Sequence, residues 1–143
     1  MLVVDANILI RAVLGSRALG LIRQYWQHAE FVAPDLAIRE ASRNLPDILE
    51  RRGLPVAPSM ATLDSVCNLM GTVDLRTYHR FETPARRRLF RRDLNDWPIL
   101  ASALALNCPI WTEDLDFFGC GVATWTSDRV DIFLEAVPAQ IPE

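Results

Sequence analysis

Two apolar stretches in this chain each run straight into a carboxylate: Met1-Leu2-Val3-Val4 into Asp5, and Cys108-Pro109-Ile110-Trp111 into Thr112-Glu113-Asp114. Short, continuously apolar stretches read as strands buried on both faces, the kind that parallel sheets contain. Open α/β sheets bind ligands in the crevice beyond the carboxyl ends of their strands. No lysine occurs in the chain to neutralise acids gathered there, and such acids suit a divalent cation.

The rest of the chain alternates helix and strand signals without a linker, repeat or low-complexity segment. Ala6 to Val13 carries Ile8, Leu9, Ala12 and Val13 at helical spacing, and Leu19, Ile22 and Trp26 continue a helical pattern toward Gln27. Phe31-Val32-Ala33 is a short strand. Asp35 is the expected cap of the next helix, with Ile38, Ala41, Leu45 and Ile48 as its stripe and Pro46 as a break or kink. Gly53 to Pro58 is expected as a loop, Ala61 to Met70 as a helix and Thr72 to Leu75 as a strand, followed by an arginine-rich helix leading to Asp93. A helix from Asp96 to Asn107 then feeds the Cys108 strand, Gly121 to Trp125 is a further strand, and Arg129 to Val137 is a closing helix. This order predicts one three-layer α/β/α domain over residues 1–143 with a mainly parallel central sheet.

With half its residues hydrophobic, a chain of 143 residues can bury a sizeable core. The sequence opens as a strand rather than as a basic and apolar leader, and Asn107 and Pro109 interrupt the longest later apolar run well short of a membrane span. A soluble, cytoplasmic protein is expected. Cys67, Cys108 and Cys120 are far apart and fit no zinc or redox spacing, which suits free thiols in a reducing compartment.

A net charge of −3 argues against coating nucleic acid by charge alone, yet the positive charge is unevenly placed. All fifteen basic residues are arginine, and Arg76, Arg80, Arg86, Arg87, Arg88, Arg91 and Arg92 share one stretch of seventeen. Arginine's planar fork suits phosphate, so this stretch is either a cationic rim beside an anionic cleft or a solvated helix face with internal ion pairs.

Asp96 precedes Ile99, Leu100 and Ala103 by three, four and seven residues, which places it on the side of the helix that carries the apolar stripe. An inward carboxylate needs a reason. One is capping, since Pro98 belongs in a first turn and acids favour that end; Asp5 and Asp114 could likewise cap or shape the turns after their strands. Glu40 lies off its helix's stripe, as solvated glutamates do. A different reason is convergence, because acids from two strand ends and two helices can meet at one sheet edge, where their repulsion is costly unless a cation binds.

Val3-Val4-Asp5-Ala6-Asn7-Ile8-Leu9, Glu40, Asn95-Asp96-Trp97-Pro98-Ile99-Leu100-Ala101 and Thr112-Glu113-Asp114-Leu115-Asp116-Phe117 resemble the four acidic motifs of PIN domains, in order and over nearly the whole chain. The resemblance implies a metal-dependent nuclease, and compact stand-alone PIN domains are often the ribonuclease toxin of a VapBC toxin–antitoxin pair. It implies Asp5, Glu40, Asp96 and Asp114 as the catalytic acids, with Asp5, Asp96 and Asp114 holding Mg2+ or Mn2+ directly or through water. Glu40 would then orient a second ion or the attacking water. Asp116 becomes an auxiliary acid, and Asn7 and Thr112 become supports. Arg86, Arg87, Arg88, Arg91 and Arg92 are the expected RNA-contacting residues. Implied partners are RNA, a small antitoxin that lays a segment across the cleft and offers a basic side chain to the acids, and a second copy of the chain.

Other enzyme classes fit less well. A Walker loop, a phospho-receiver domain and a haloacid-dehalogenase-type phosphatase each usually rely on a lysine, which is missing here. His28 and His79 are the only histidines and neither has a nucleophile motif beside it. Trp97, Trp111, Trp125, Phe117 and Phe118 could stack on bases, although burial tendencies favour the core. Two alternatives stay open: a degenerate PIN module that binds RNA or protein without cutting, and a PIN nuclease of RNA processing or repair with no antitoxin.

Overall fold

The computed structural model describes residues 1–137, so the last residues of the domain expected over 1–143 lie outside it. Its centre is β1 (Leu2–Val4), three aliphatic residues that are wholly buried. On one side β1 pairs in parallel with β2 (Phe31–Pro34), and β2 pairs with β3 (Gly71–Val73). On the other side β1 pairs with β4 (Ile110–Trp111), and β4 with β5 (Thr124–Trp125), again in parallel. The order β3-β2-β1-β4-β5 means that the chain moves outward from β1 twice, then crosses back to the opposite side of β1. The carboxyl ends of β1 and β4 therefore flank the point where the strand order reverses.

Parallel neighbours require crossover connections, and these are helical. α1 (Ala6–Leu14) and α2 (Arg17–Tyr25) join β1 to β2, and α3 (Asp35–Arg51) and α4 (Val56–Asn68) join β2 to β3. α1 packs against α2, α3 and α4 in one layer. The return crossover holds α5 (Leu75–Tyr78), a 3-10 turn (His79–Phe81), α6 (Glu82–Arg88), a second 3-10 turn (Leu94–Asp96) and α7 (Trp97–Leu106). Every residue from Trp97 to Ala103 is buried, because α7 lies between β1, β2 and β4 on one side and α5 and α6 on the other. Asn107 ends α7 in the left-handed conformation, which asparagine tolerates. α8 (Val130–Ala136) follows β5. Among the described residues, no helix is long and apolar enough to cross a membrane.

Local structure departs from the sequence reading in several places. The Gly53 to Pro58 loop is shorter than expected, because α4 already starts at Val56; Pro58 fits its first turn, where a backbone N–H has no intrahelical partner to lose. α3 runs through Pro46 without a break, held by buried Leu45 and Leu49 on either side. Its buried stripe is Ala37, Ala41, Leu45 and Leu49, while Ile38 and Ile48 are half-buried. Asp35 is the first residue of α3 rather than its cap, and its Oδ1 accepts from the Leu36 N–H and from the Tyr78 hydroxyl at 2.5 Å. The arginine-rich helix stops at Arg88 instead of reaching Asp93, and Arg91 takes a φ of 67° in the turn that follows. Trp97, Trp111 and Phe117 are buried as core residues, Trp125 is half-buried and Phe118 is exposed.

Candidate functional site

The site starts at the end of β1. Asp5 leaves the strand in extended conformation and caps α1, its Oδ1 accepting from the Ala6 N–H at 2.7 Å. Its Oδ2 accepts from the Thr112 hydroxyl at 2.6 Å and from Asn7 Nδ2 at 3.0 Å. Thr112 follows β4, so this bond joins the two neighbouring strand ends. With its proton given to Asp5, Thr112 Oγ1 accepts from the Asp114 N–H at 2.9 Å and from Asn7 Nδ2 at 3.2 Å. Asn7 Oδ1 in turn accepts from the Glu113 N–H. The side-chain polar groups of Asn7 and Thr112 thus serve to hold Asp5 and the start of the loop after β4.

Asp96, Asp114 and Asp116 form the tightest acidic group: one carboxylate oxygen from each lies within 4.8 Å of the others. Asp114 Oδ1 accepts from the Asp116 N–H at 2.9 Å, starting a 3-10 turn (Leu115–Phe117) that brings Asp116 back beside it. Asp96 stands at the cap position of α7, yet its side chain makes no capping bond, and Oδ2 is buried without a hydrogen-bond partner among the described residues. Capping therefore accounts for Asp5, and turn formation for part of Asp114, but neither accounts for Asp96.

The acidic residues perturb one another. Burial, helped by the charges of Glu40 and Asp114, pushes the Asp5 carboxyl up to about 6 against the Thr112 and Ala6 hydrogen bonds. Burial, with the charges of Asp5, Asp114 and Asp93, also drives Asp96 up, to about 8. Both carboxyls give up their protons less readily than a free aspartate, because the environment disfavours one more negative charge. A bound cation would reverse that preference, and the donor set fits a hard divalent ion: carboxylate oxygens only, one of them, Asp96 Oδ2, without any protein donor.

The sequence-predicted acids do not all stand alike. The trio expected to hold metal was Asp5, Asp96 and Asp114, whereas the compact trio includes Asp116 and leaves Asp5 beside it, tied through Thr112. The turn after Asp114 is what brings Asp116 in, and residue spacing alone does not show it. Glu40 is exposed on α3, outside that trio, and its charge reaches Asp5. Two supports escaped the sequence reading. Glu113 Oε1 accepts from the Ser127 N–H at 2.8 Å, and Asp93 caps the 3-10 turn that carries Asp96.

The five arginines expected to contact RNA are unevenly committed. Arg86 pairs with Glu82 at 2.7 Å and lies over the Trp97 ring. Arg88 Nη1 donates to the Cys120 carbonyl at 3.1 Å and Arg92 Nη1 to the Asp116 carbonyl at 2.7 Å, so both clasp the loop that follows β4. That loop turns through Gly119 and Gly121 at φ of 82° and 85°, and a Cβ on Gly121 would come within 2.7 Å of the Arg88 guanidinium. Arg87 and Arg91 remain exposed, Arg91 over the Phe90 ring.

The PIN domain family profile matches residues 3–135. No curated protein matches the sequence. Among solved structures, PAE2754 from Pyrobaculum aerophilum superposes with a TM-score of 0.73 at 16% identity, covering 94% of this chain and 89% of that one. VapBC2 from Rickettsia felis, solved bound to a DNA fragment from its promoter, gives a TM-score of 0.70 at 13% identity, covering 87% of this chain and 97% of that one. At these identities the structural likeness is one of fold, and it agrees with the sheet order and the helical crossovers. With the profile spanning almost the entire sequence, the chain belongs to the PIN domain family.

Proposed function

We propose that this protein is a metal-dependent endoribonuclease. The observation that carries the reading is the group of three carboxylates, Asp96, Asp114 and Asp116, in which Asp96 keeps a buried oxygen without a hydrogen-bond partner among the described residues, at the strand-order reversal of a PIN domain, a family whose members are generally nucleases. Asp96, Asp114 and Asp116, with Asp5 beside them, would hold Mg2+ or Mn2+. When bound, the ion supplies a hydroxide source at neutral pH and offsets charge developing on the phosphoryl oxygens. Thr112 and Asn7 keep Asp5 oriented, and Asp114 is held by its own turn. Glu40, exposed at the rim, would accept a hydrogen bond or a proton from the incoming water. Water adds to phosphorus, one ester P–O bond breaks, and the products are a phosphomonoester and a hydroxyl.

The Rickettsia felis neighbour is a VapBC assembly. By analogy of fold, we assign this chain the toxin role in such a pair, with a small antitoxin and a second copy of the chain as its partners. Growth inhibition on expression alone, reversed by a small neighbouring open reading frame, is the expected outcome. Harmless expression of the folded, metal-binding protein would count against it.

The nuclease itself is tested with partner-free protein and mixed cellular RNA in magnesium, manganese or EDTA, beside an Asp96→Asn variant of matched thermal stability. Cleavage that requires metal and disappears in the variant is expected. Intact RNA throughout, despite metal binding, would instead assign a binding module.

A further inference from the structure

Beside the acidic edge lies a cleft of about 940 Å³ formed by α1, the start of α2 and the end of α3. Arg11, Arg17 and the adjacent pair Arg51 and Arg52 line it, all outside the Arg76 to Arg92 stretch. All four are exposed. The ion pairs among the described residues, Arg86 with Glu82 and Arg129 with Asp128, involve none of them. Among the described residues, Arg17 and Arg51 use only Nε, on the Ser127 and Asp47 carbonyls, which leaves their terminal nitrogens without a hydrogen-bond partner. Ile10, Leu14 and Ile48 supply apolar lining between the arginines.

The cleft reaches the acidic edge at Asn7, which lines it and also donates to Asp5. Arg11 stands one turn beyond Asn7 on α1, about 6 Å along the axis. On α3, Arg51 lies about 16 Å beyond Glu40 and within about 20° of the same face. α1 thus leads from Asp5 at the sheet edge, and α3 from Glu40 in its first half, to arginines nearer their far ends. A polyanion whose scissile bond sits at the acids would be repelled there without cation, and would find its compensating charge along this path. Arginine forks match phosphate oxygens bidentately, while the apolar lining suits riboses and bases.

We infer that this cleft is the track for single-stranded RNA flanking the cleaved bond, with Arg11, Arg17, Arg51 and Arg52 on its phosphates; the inference rests on the nuclease reading. It places the strand on α1 and α3, whose four arginines make no ion pair among the described residues, rather than on the arginine-rich stretch, where Arg86 is paired with Glu82 and Arg92 braces the Asp116 carbonyl of the acidic group.

Binding of a fluorescent single-stranded RNA oligomer is measured by anisotropy in EDTA, which separates binding from cutting, over a series of salt concentrations. The variants are Arg51→Ala/Arg52→Ala, Arg11→Ala and, as an equal charge loss outside the cleft, Arg76→Ala/Arg80→Ala, each checked for an unchanged melting temperature. The cleft double variant should bind several-fold more weakly, with a log K against log salt slope shallower by about 1.4, since each lost phosphate contact on a single strand removes about 0.7. Arg11→Ala should lower the slope by about half as much, and the variant outside the cleft should leave it unchanged. Unaltered slopes in both cleft variants would overturn the inference. So would loss confined to Arg76→Ala/Arg80→Ala, or cleft-dependent binding of polyglutamate without binding of RNA, which would assign the cleft to an acidic protein. Wild-type protein that binds RNA in this pattern but never cuts it with metal refutes the nuclease reading and leaves the cleft assignment standing.

Discussion

The Thr112 hydroxyl donates to Asp5 Oδ2 across 2.6 Å while receiving the Asp114 N–H at 2.9 Å, so one side chain joins the carboxyl ends of β1 and β4. Thr112 is wholly buried, and its hydrogen bond opposes the burial that raises the Asp5 carboxyl. Thr112→Val keeps the shape and removes these two bonds and the one from Asn7 Nδ2. It should lower stability by about 1–3 kcal/mol, the range for losing a buried hydrogen bond to a charged group, and weaken Mn2+ binding. Thr112→Ser should recover most of both. Thermal melts and calorimetric Mn2+ titration check this, and a valine variant with wild-type metal affinity would sink it.

The raised carboxyls dictate how stability responds to pH. In the metal-free folded protein Asp5 releases its proton at about 6 and Asp96 at about 8, against 3.8 in the unfolded chain. Between about pH 4 and 8 the folded state therefore binds more protons, and stability falls as pH rises through that window. Asp96→Asn removes one of these protons from the balance. In EDTA the variant should gain on wild type in melting temperature from about pH 5 to about pH 8. Mn2+ should stabilise wild type increasingly over the same range, since it competes with protons for the same oxygens. A wild-type to variant difference that does not change with pH would contradict this account.

Arg92 holds the Asp116 carbonyl at 2.7 Å and so acts on the acidic trio through the backbone. Arg92→Ala should weaken Mn2+ binding and slow RNA cleavage, while leaving the salt dependence of RNA binding in EDTA close to wild type. Arg87→Ala, on an exposed side chain, should leave Mn2+ affinity alone. A changed salt slope for Arg92→Ala would show that its guanidinium contacts phosphate instead.

Tyr78 is buried against the Trp97 ring, and its hydroxyl ties α5 to the first residue of α3 through Asp35. Burial and the Asp35 carboxylate raise its ionisation well above the ordinary tyrosine range, so it stays protonated and donating. Tyr78→Phe should cost about 1–3 kcal/mol without changing Mn2+ affinity. An unchanged urea midpoint would show that water replaces the hydroxyl.

Much of this molecule is legible in the sequence because the determining interactions are local. An unbroken apolar run places β1, and the residue after it must cap the next helix, so Asp5 is fixed at the sheet edge by chain continuity. Chain continuity likewise sets Thr112 and Asp114 just beyond β4, and Asp96 just ahead of the buried helix α7. Helix periodicity also shows Glu40 leaving the apolar stripe, and the structure finds it exposed.

Only the tertiary structure decided which groups share space. Asp116 joins Asp96 and Asp114 because a hydrogen-bonded turn folds it back, and Arg88 and Arg92 are absorbed by carbonyls of a loop distant in sequence. The start of α4 and the continuity of α3 through Pro46 follow from first-turn geometry and buried leucines rather than from proline content. Arg11, Arg17, Arg51 and Arg52 form no run in the chain, and come together only where α1, α2 and α3 meet. Local propensity sets the order of elements and the ends at which acids appear, whereas the packing of helices on the sheet sets which charges face one another, and that depends on contacts far apart in sequence.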